Sequence, residues 1–420
     1  MLVKIETFTN RIIILILLSY PALLLTVNGS MGVLFFLLLL VSLVSLYRTR
    51  TSLTASRWDA YSIAFSLAMA SPVLAIFLSQ AYHGKFSAPP YDWASRFLFT
   101  IPIYLALRQV NLRALMTMQY SIPIGALVAV VWLLVHPNVW YVGDHQILGS
   151  TTSSAFNLIH FSDTALILGF LSLFSINLME RNCLFILSLK LCGFIAGIYM
   201  SVQSGERGGW VAIPVLILVW VFFWSGKKRW LKLSVTVVLT LTFIFLSYSW
   251  IDVIHHRVDL AFDDLNNYAK GFKDTPVGIR LQLWLAAINL FVANPFFGVG
   301  PNEFAQAMPM FRDSGMLTPV AANFGNSEVH NEILAKCAGT GLFGLLSILS
   351  VYLVPVIIFW RSTSSTISAV KISSFMGICL VLGFFVFGLT VEIFNLKMTA
   401  AFFSLTLAVL LAMATHKGNH

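Results

Sequence analysis

Charge is what this 420-residue sequence has least of: 10% of residues are Asp, Glu, Lys or Arg, against 58% hydrophobic. A soluble globule of that make-up would have too little polar surface to face water, so the composition excludes one. Acidic residues are the scarcer sign, 17 against 26 Lys and Arg, for a formal charge of +9. The basic residues are scattered between apolar runs and not gathered into one stripe, which argues against a nucleic-acid surface. Cysteine is sparse too. Cys183, Cys192, Cys337 and Cys379 lie in or beside apolar runs, without CxxC spacing or His partners, and read as buried free thiols. His136, His145, His160, His255 and His256 have no second ligand at HxxxH spacing, so no metal site is expected. The adjacent acids Asp263 and Asp264 read as a solvated helix surface. Internal repeats and low-complexity tracts are lacking as well, which excludes solenoids and tail-like segments.

What is present is a succession of long apolar runs, each able at 1.5 Å per residue to cross a hydrocarbon layer about 30 Å thick. The expected spans are 12–28, 31–47, 60–79, 93–107, 115–135, 161–179, 183–203, 209–225, 233–250, 334–359, 372–391 and 398–415. Two-residue alternation, the mark of a membrane barrel, is lacking. The fold class is therefore an all-α polytopic membrane protein with about twelve transmembrane helices. The first run is read as a retained helix, since a second follows at once without a small-x-small cleavage site. The short fourth run requires Arg96 to snorkel toward the headgroups.

Basic residues set the orientation, because short loops rich in them stay in the cytoplasm. Lys4, Arg11, Arg48, Arg50, Arg57, Arg108, Arg113, Arg181, Lys190, Lys227, Lys228, Arg229, Lys232, Arg361, Lys371 and Lys417 are counted on one side. The other side, outside the long segment, holds Lys85, Arg96, Arg207, Lys336 and Lys397. Both termini are thus expected in the cytoplasm. The chain divides into a bundle over 1–250 (spans one to nine), an exterior helical loop over 251–333, and a bundle over 334–420 (spans ten to twelve). The loop is expected to carry a polar surface helix over Arg257–Phe272, an apolar one over Ile279–Val292 and a short one over Asn302–Met310.

Few polar residues sit at the exterior lip, and those few are the candidates for chemistry. Arg207, flanked by glycines between two spans, could grip an anionic headgroup with its planar fork of donors, or simply snorkel. Arg280 opens the apolar helix of the loop, either as a second cation for a phosphate or as an ordinary solvated arginine. His330, where the loop enters the tenth span, could take a proton from a hydroxyl near neutral pH, or serve structure alone. Glu392, at the exterior end of the eleventh span, either pairs with Lys397 or orients an active-site group.

Arg280, Trp284, the run Pro295-Phe296-Phe297-Gly298-Val299-Gly300, and His330-Asn331 followed after nine residues by Gly341-Leu342-Phe343-Gly344 together resemble the O-antigen ligase and polymerase superfamily. The His-Asn-x9-Gly-x-x-Gly spacing is similar to the ligase signature, and the likeness is clearest over residues 200–350. The resemblance implies a GT-C-type glycosyltransferase of lipopolysaccharide biosynthesis in the bacterial inner membrane, with a periplasmic active site. It would move a glycan from undecaprenyl diphosphate to a sugar hydroxyl of the lipid A core, with inversion and without a metal or other cofactor. Arg207 and Arg280 would hold the diphosphate, and His330 would act as general base or orient the acceptor, with Glu392 and Asn331 as possible supports. The partners implied are undecaprenyl-diphosphate-linked O-antigen, the lipid A core oligosaccharide and membrane lipids, and no nucleic acid.

Two rivals share that donor: a polymerase of repeat units and a protein O-oligosaccharyltransferase. A flippase or transporter of lipid-linked glycan is a rival of another class. It should carry ionisable residues at the bilayer midplane, whereas here they gather at one lip.

Overall fold

A computed structural model describes residues 2–49, 58–135, 158–179, 182–204, 207–226, 229–250, 252–326 and 328–416. His136 and His145, with most of the exterior loop that holds them, lie outside the described residues, as do Gly205, Glu206 and the side chain of Arg207. Seventeen helices are described, and no strand. The first ten are α1 (Leu2–Leu23), α2 (Ser30–Arg48), α3 (Ala60–His83), α4 (Tyr91–Leu107), α5 (Leu112–Met116), α6 (Met118–Val135), α7 (Leu158–Phe174), α8 (Leu184–Ser204), α9 (Arg207–Trp224) and α10 (Arg229–Trp250). The long loop supplies α11 (Asp252–Ala269), α12 (Pro276–Ala293), α13 (Phe304–Asp313) and α14 (Pro319–Phe324). The chain closes with α15 (Glu332–Ser362), α16 (Ser368–Gly388) and α17 (Lys397–Ala414).

All twelve expected spans fall on helices. Eight described helical segments are long and apolar enough to cross a membrane. One of the eight is α12, which the sequence placed in the exterior loop, and four further apolar helices are shorter. Length and hydropathy alone therefore do not separate α12 from a span. Its packing is described below.

The large core is centred on α16 and α17, which are buried along most of their length, for example at Phe375, Phe384, Phe387, Phe403 and Leu410. The outer helices leave large apolar side chains uncovered, among them Val33, Leu40, Leu67, Val131, Phe185 and Ile195. Lipid is the solvent in which such a surface is stable, and helices satisfy their own backbone groups there. The result is a polytopic helical membrane protein.

A second, smaller core joins Leu283, Ala286 and Leu290 of α12 to Met308 and Phe311 of α13, then Leu317, Ala321, Val329 and Ala338. The helix α12 thus packs within the 276–338 region. Its start is well specified: Thr275 caps it through Gly278 N–H at 3.1 Å, and Pro276 stands at the first turn, where its missing N–H costs nothing.

Several charged residues behave differently from expectation. Arg96 does not reach for headgroups: it is buried, bonded to Asp92 at 2.8 Å, with its guanidinium 5.8 Å from the Phe36 ring. A carboxylate one helical turn away satisfies the charge internally, so snorkelling is unnecessary. Lys190, counted as a loop cation, lies inside α8 and is fully buried. Its ammonium donates to Gln119 Oε1 at 2.7 Å, the Ser175 carbonyl at 2.6 Å and Asn182 Oδ1 at 3.3 Å. Three acceptors satisfy its three donors. Of the free cysteines, Cys337 and Cys379 are buried, whereas Cys183 and Cys192 are exposed on the outside of the helices.

At the opposite end from the 389–396 connection, α3 is capped by Asp59, which accepts from Ser62 N–H at 2.9 Å and pairs with Arg108 at 2.7 Å. Burial raises the Asp59 carboxyl, but its bonds to Ser62 and Arg108 outweigh that and hold it below the usual range.

Candidate active site

Three short segments build the site: the 325–331 approach to α15, the 389–396 connection between α16 and α17, and the turn 294–303. The first two are laced together by hydrogen bonds that run both ways. Glu392 Oε1 accepts from Val329 N–H at 2.6 Å, and Glu332 Oε2 accepts from Phe394 N–H at 3.0 Å. Asn331 Nδ2 donates to the Leu389 carbonyl at 3.1 Å, while its Oδ1 caps α15 through Leu334 N–H at 3.1 Å. Backbone groups that two irregular segments would otherwise leave unpaired are satisfied by each other's side chains.

The turn 294–303 docks against a break in α15. Gly341 has φ 65° and ψ −147°, non-helical values inside the helix, and a Cβ there would lie 2.4 Å from the Phe296 carbonyl. Only glycine fits so close an approach. The freed backbone groups are taken up by the turn: Leu342 N–H donates to the Pro295 carbonyl at 2.7 Å, and Val299 and Gly300 N–H donate to the carbonyls of Ala338 and Gly339 at 2.9 and 3.0 Å. From α3, Ser79 Oγ donates to the Phe297 carbonyl at 2.6 Å, and His83 Nε2 lies 2.9 Å from the Gly298 carbonyl.

His330 sits between these pieces with φ 60°, a left-handed value uncommon for a residue with a side chain. Trp284 Nε1 donates to its carbonyl at 3.2 Å. Its Nδ1 lies 2.9 Å from Glu328 Oε1, and both side chains are largely buried. Burial raises the Glu328 carboxyl, but the contact with His330 outweighs that and holds it below its ordinary value.

Arg280 lies one turn before Trp284 on α12, hence on the same face, and is half-buried with no ion pair among the described residues. Arg207 begins α9. The next residue, Gly208, abuts the 389–396 connection, where a Cβ would lie 2.3 Å from Thr390 Oγ1. Arg280, His330, Asn331, Glu392 and the start of α9 are therefore gathered at one end of the bundle.

Glu392 is not paired with Lys397. Lys397 contacts Asp92, and Glu392 Oε2 instead accepts from Asn395 Nδ2 at 2.9 Å. Its backbone carbonyl lies 3.3 Å from Nε2 of the buried His160. Burial pushes the Glu392 carboxyl up to about 7. With a free path to solvent closed, the carboxylate finds its partners among local N–H groups rather than in a lysine that reaches outward.

The sequence reading missed Glu328, Glu332 and Lys336. Lys336 Nζ is 2.9 Å from Glu332 Oε1 and 4.1 Å from the centre of the Trp93 ring. The signal was available: Glu332 and Lys336 are spaced i, i+4 at the start of a helix, and Glu328 stands two residues from His330. Beside the lacing lies a cavity of about 210 Å³ whose walls include Trp93, Asn302, Glu328, Lys336, Glu392 and Asn395. Neither Arg280 nor His330 lines it. Through Ala75 and Ser347 it adjoins an apolar groove of about 410 Å³ between α3 and α15.

A helical membrane protein with a laced polar site at one end of its bundle, a cavity beside it and an apolar groove leading from that cavity has the make-up of a protein that handles an amphiphile. Residues 192–349 match the O-antigen ligase family model. Over 207 residues, 49% of this chain and 46% of the relative, it is 24% identical to an O-antigen ligase of Escherichia coli. Over 195 residues, 45% of this chain and 48% of the relative, it is 27% identical to a Haemophilus influenzae protein described as uncharacterized. The matched region spans about half the length of these curated relatives. The likeness to the O-antigen ligase family thus covers part of the chain.

Proposed function

We propose that this protein transfers a glycan from undecaprenyl diphosphate to a sugar hydroxyl of the lipid A core, on the periplasmic face of the bacterial inner membrane. The observation that carries this reading is the convergence of Arg280, His330 and the start of α9 at the end of the bundle where the apolar groove meets the polar cavity. A lipid-linked anionic donor suits that juxtaposition, with its chain on the apolar side and its diphosphate among arginines. The twelve-span layout and the division at residues 251–333 belong to the same proposal and rest on the apolar runs, the cytoplasmic termini rest on the distribution of basic residues, and the GT-C type rests on the resemblance to the ligase and polymerase superfamily.

In the step proposed, His330 takes the proton of the acceptor hydroxyl as its oxygen forms a bond to the anomeric carbon. The bond from that carbon to the diphosphate oxygen breaks, and undecaprenyl diphosphate leaves with the electron pair. Attack opposite the leaving group inverts the anomeric centre. Arg207 and Arg280 stabilise the charge that develops on the diphosphate, which accelerates the step because they grip the leaving group more strongly in the transition state. With guanidinium groups in that role, transfer is expected to persist in the presence of a chelator.

The test is to incubate purified protein with undecaprenyl-diphosphate-linked glycan and lipid A core, with EDTA present, and resolve the products by mass. Ligated lipopolysaccharide is expected. Lengthened donor chains would instead identify a polymerase, glycoprotein a protein transferase, and no transfer a transporter. Arg280→Ala and His330→Ala should each abolish transfer while the protein still inserts and elutes as wild type. Full activity in either variant refutes the site assignment.

A further inference from the structure

We propose that Glu328 is a positioning residue for His330, holding its ring so that Nε2 is presented to the acceptor hydroxyl. The proposal rests on the reading of His330 as the base. Glu328 and His330 are two residues apart with Val329 between them, close enough in the chain for their side chains to meet. The intervening residue is pinned, because Val329 N–H is held by Glu392. The far side is pinned as well, because Trp284 holds the His330 carbonyl and Asn331 caps α15. Between these anchors the left-handed backbone of His330 turns its ring back on Glu328, with Nδ1 2.9 Å from Oε1. Such backbone conformations persist only where the surroundings enforce them.

A carboxylate oxygen 2.9 Å from Nδ1, within ion-pair distance though not aligned for a hydrogen bond, favours the neutral tautomer that carries its proton there. That leaves the Nε2 lone pair free to accept the proton of a sugar hydroxyl. Once Nε2 has accepted it, the imidazolium lies against a carboxylate in a largely buried setting, where the ion pair is poorly screened. The other charged groups around the segment are already committed or lie on other elements. Glu332 and Lys336 of α15 pair with each other, and Glu392 of the 389–396 connection is bonded to Val329 and Asn395. His160 of α7 lies against the Glu392 carbonyl, and Arg280 of α12 is one turn from Trp284. Among the described residues, Glu328 is the charged group in contact with the ring. Its low carboxyl pKa is what this pairing produces from the other side.

The experiment reads His330 without needing a substrate. Carbethoxylation of His330 by diethyl pyrocarbonate is followed by peptide mass spectrometry from pH 5 to pH 8.5, in wild type, Glu328→Gln and Glu328→Asp. In Glu328→Gln the rate of His330 labelling at a fixed pH is expected to change by about threefold or more, because the ring is no longer held against a carboxylate. Glu328→Asp should recover part of that change. In the transfer assay, kcat of Glu328→Gln should drop roughly 10- to 100-fold, the range seen when groups that orient a functional histidine are removed. KM for the donor should stay within about twofold, and Glu328→Asp should recover part of the lost kcat. Elution volume and thermal midpoint check that the variant is folded. An unchanged His330 labelling curve in folded Glu328→Gln overturns the proposal. If His330→Ala keeps full activity while the labelling change is present, the base assignment falls and the Glu328 pairing stands.

Discussion

The carboxyl of Glu392 offers the sharpest quantitative check, because burial pulls it one way while Lys336 and the hydrogen bond from Val329 pull the other. It lies in the connection between α16 and α17, and burial lifts it from 4.5 to about 7, with the nearby acids Glu332 and Glu328 adding to the rise. That displacement corresponds to roughly 3 kcal/mol of ionisation cost in the folded state. Between pH 4.5 and pH 7 the unfolded chain has released this proton and the folded chain has kept it. Stability from this group therefore falls as pH rises through that window, and the loss is complete above pH 7.

Glu392→Gln removes the titration. Its amide oxygen can still accept from Val329 N–H, but its NH2 group faces the NH2 of Asn395, so one hydrogen bond is lost at a cost of about 1 kcal/mol. At pH 5, half a unit above the unfolded value, about 0.8 kcal/mol of the stability from this group is already gone from the wild type, so the variant should be the less stable protein by only a few tenths of a kcal/mol. At pH 8 it should be the more stable one by about 2 kcal/mol, the difference of the two effects. Unfolding of the detergent-solubilised pair, followed by helical circular dichroism at half-unit steps from pH 5 to pH 8.5, should show the two stability curves crossing. A difference that is flat with pH, or that runs the opposite way, refutes the reasoning that burial dominates at Glu392. Glu392→Ala is the companion measurement: it strands Val329 N–H and should cost about 1–3 kcal/mol at every pH.

Two further substitutions probe the packing beneath the site. Gly341→Ala places a methyl group 2.4 Å from the Phe296 carbonyl and imposes a left-handed φ on a residue with a side chain; a loss of more than about 2 kcal/mol is expected, read as a lowered thermal midpoint together with loss of transfer. Lys190→Ala leaves Gln119, Ser175 and Asn182 facing a void and should cost about 3 kcal/mol, whereas Lys190→Met fills the space and should cost less; a reversed ranking in thermal midpoints would contradict the packing described.

How much of this could be read beforehand depends on the range of the interaction involved. The helices were legible because hydropathy is a local property and lipid leaves a chain little alternative to helix. The polar lip was legible for the same reason, since ionisable residues such as Arg207, Arg280 and His330 stand out against apolar neighbours. What escaped was pairing across the sequence. The bonds Glu392–Val329, Glu332–Phe394 and Asn331–Leu389 each join residues about sixty positions apart, and no periodicity announces them. Lys397 looked like the partner of Glu392 because it is five residues away, yet Asp92 from another helix takes it. Arg96 looked unpaired in an apolar run although Asp92 stood one turn before it. Asp92 therefore serves two cations, and removing it would strand both. Sequence neighbours are a weak guide wherever irregular segments meet, because each unpaired backbone group there is met by the nearest donor or acceptor in space. The same rule explains how a histidine in a left-handed backbone is held in place. His330 is fixed through its carbonyl by Trp284 and through its ring by Glu328, and the residue before it is fixed by Glu392, three contacts from three different parts of the chain. Loosening any one of them leaves the residue present and the helices intact, but changes where its ring points.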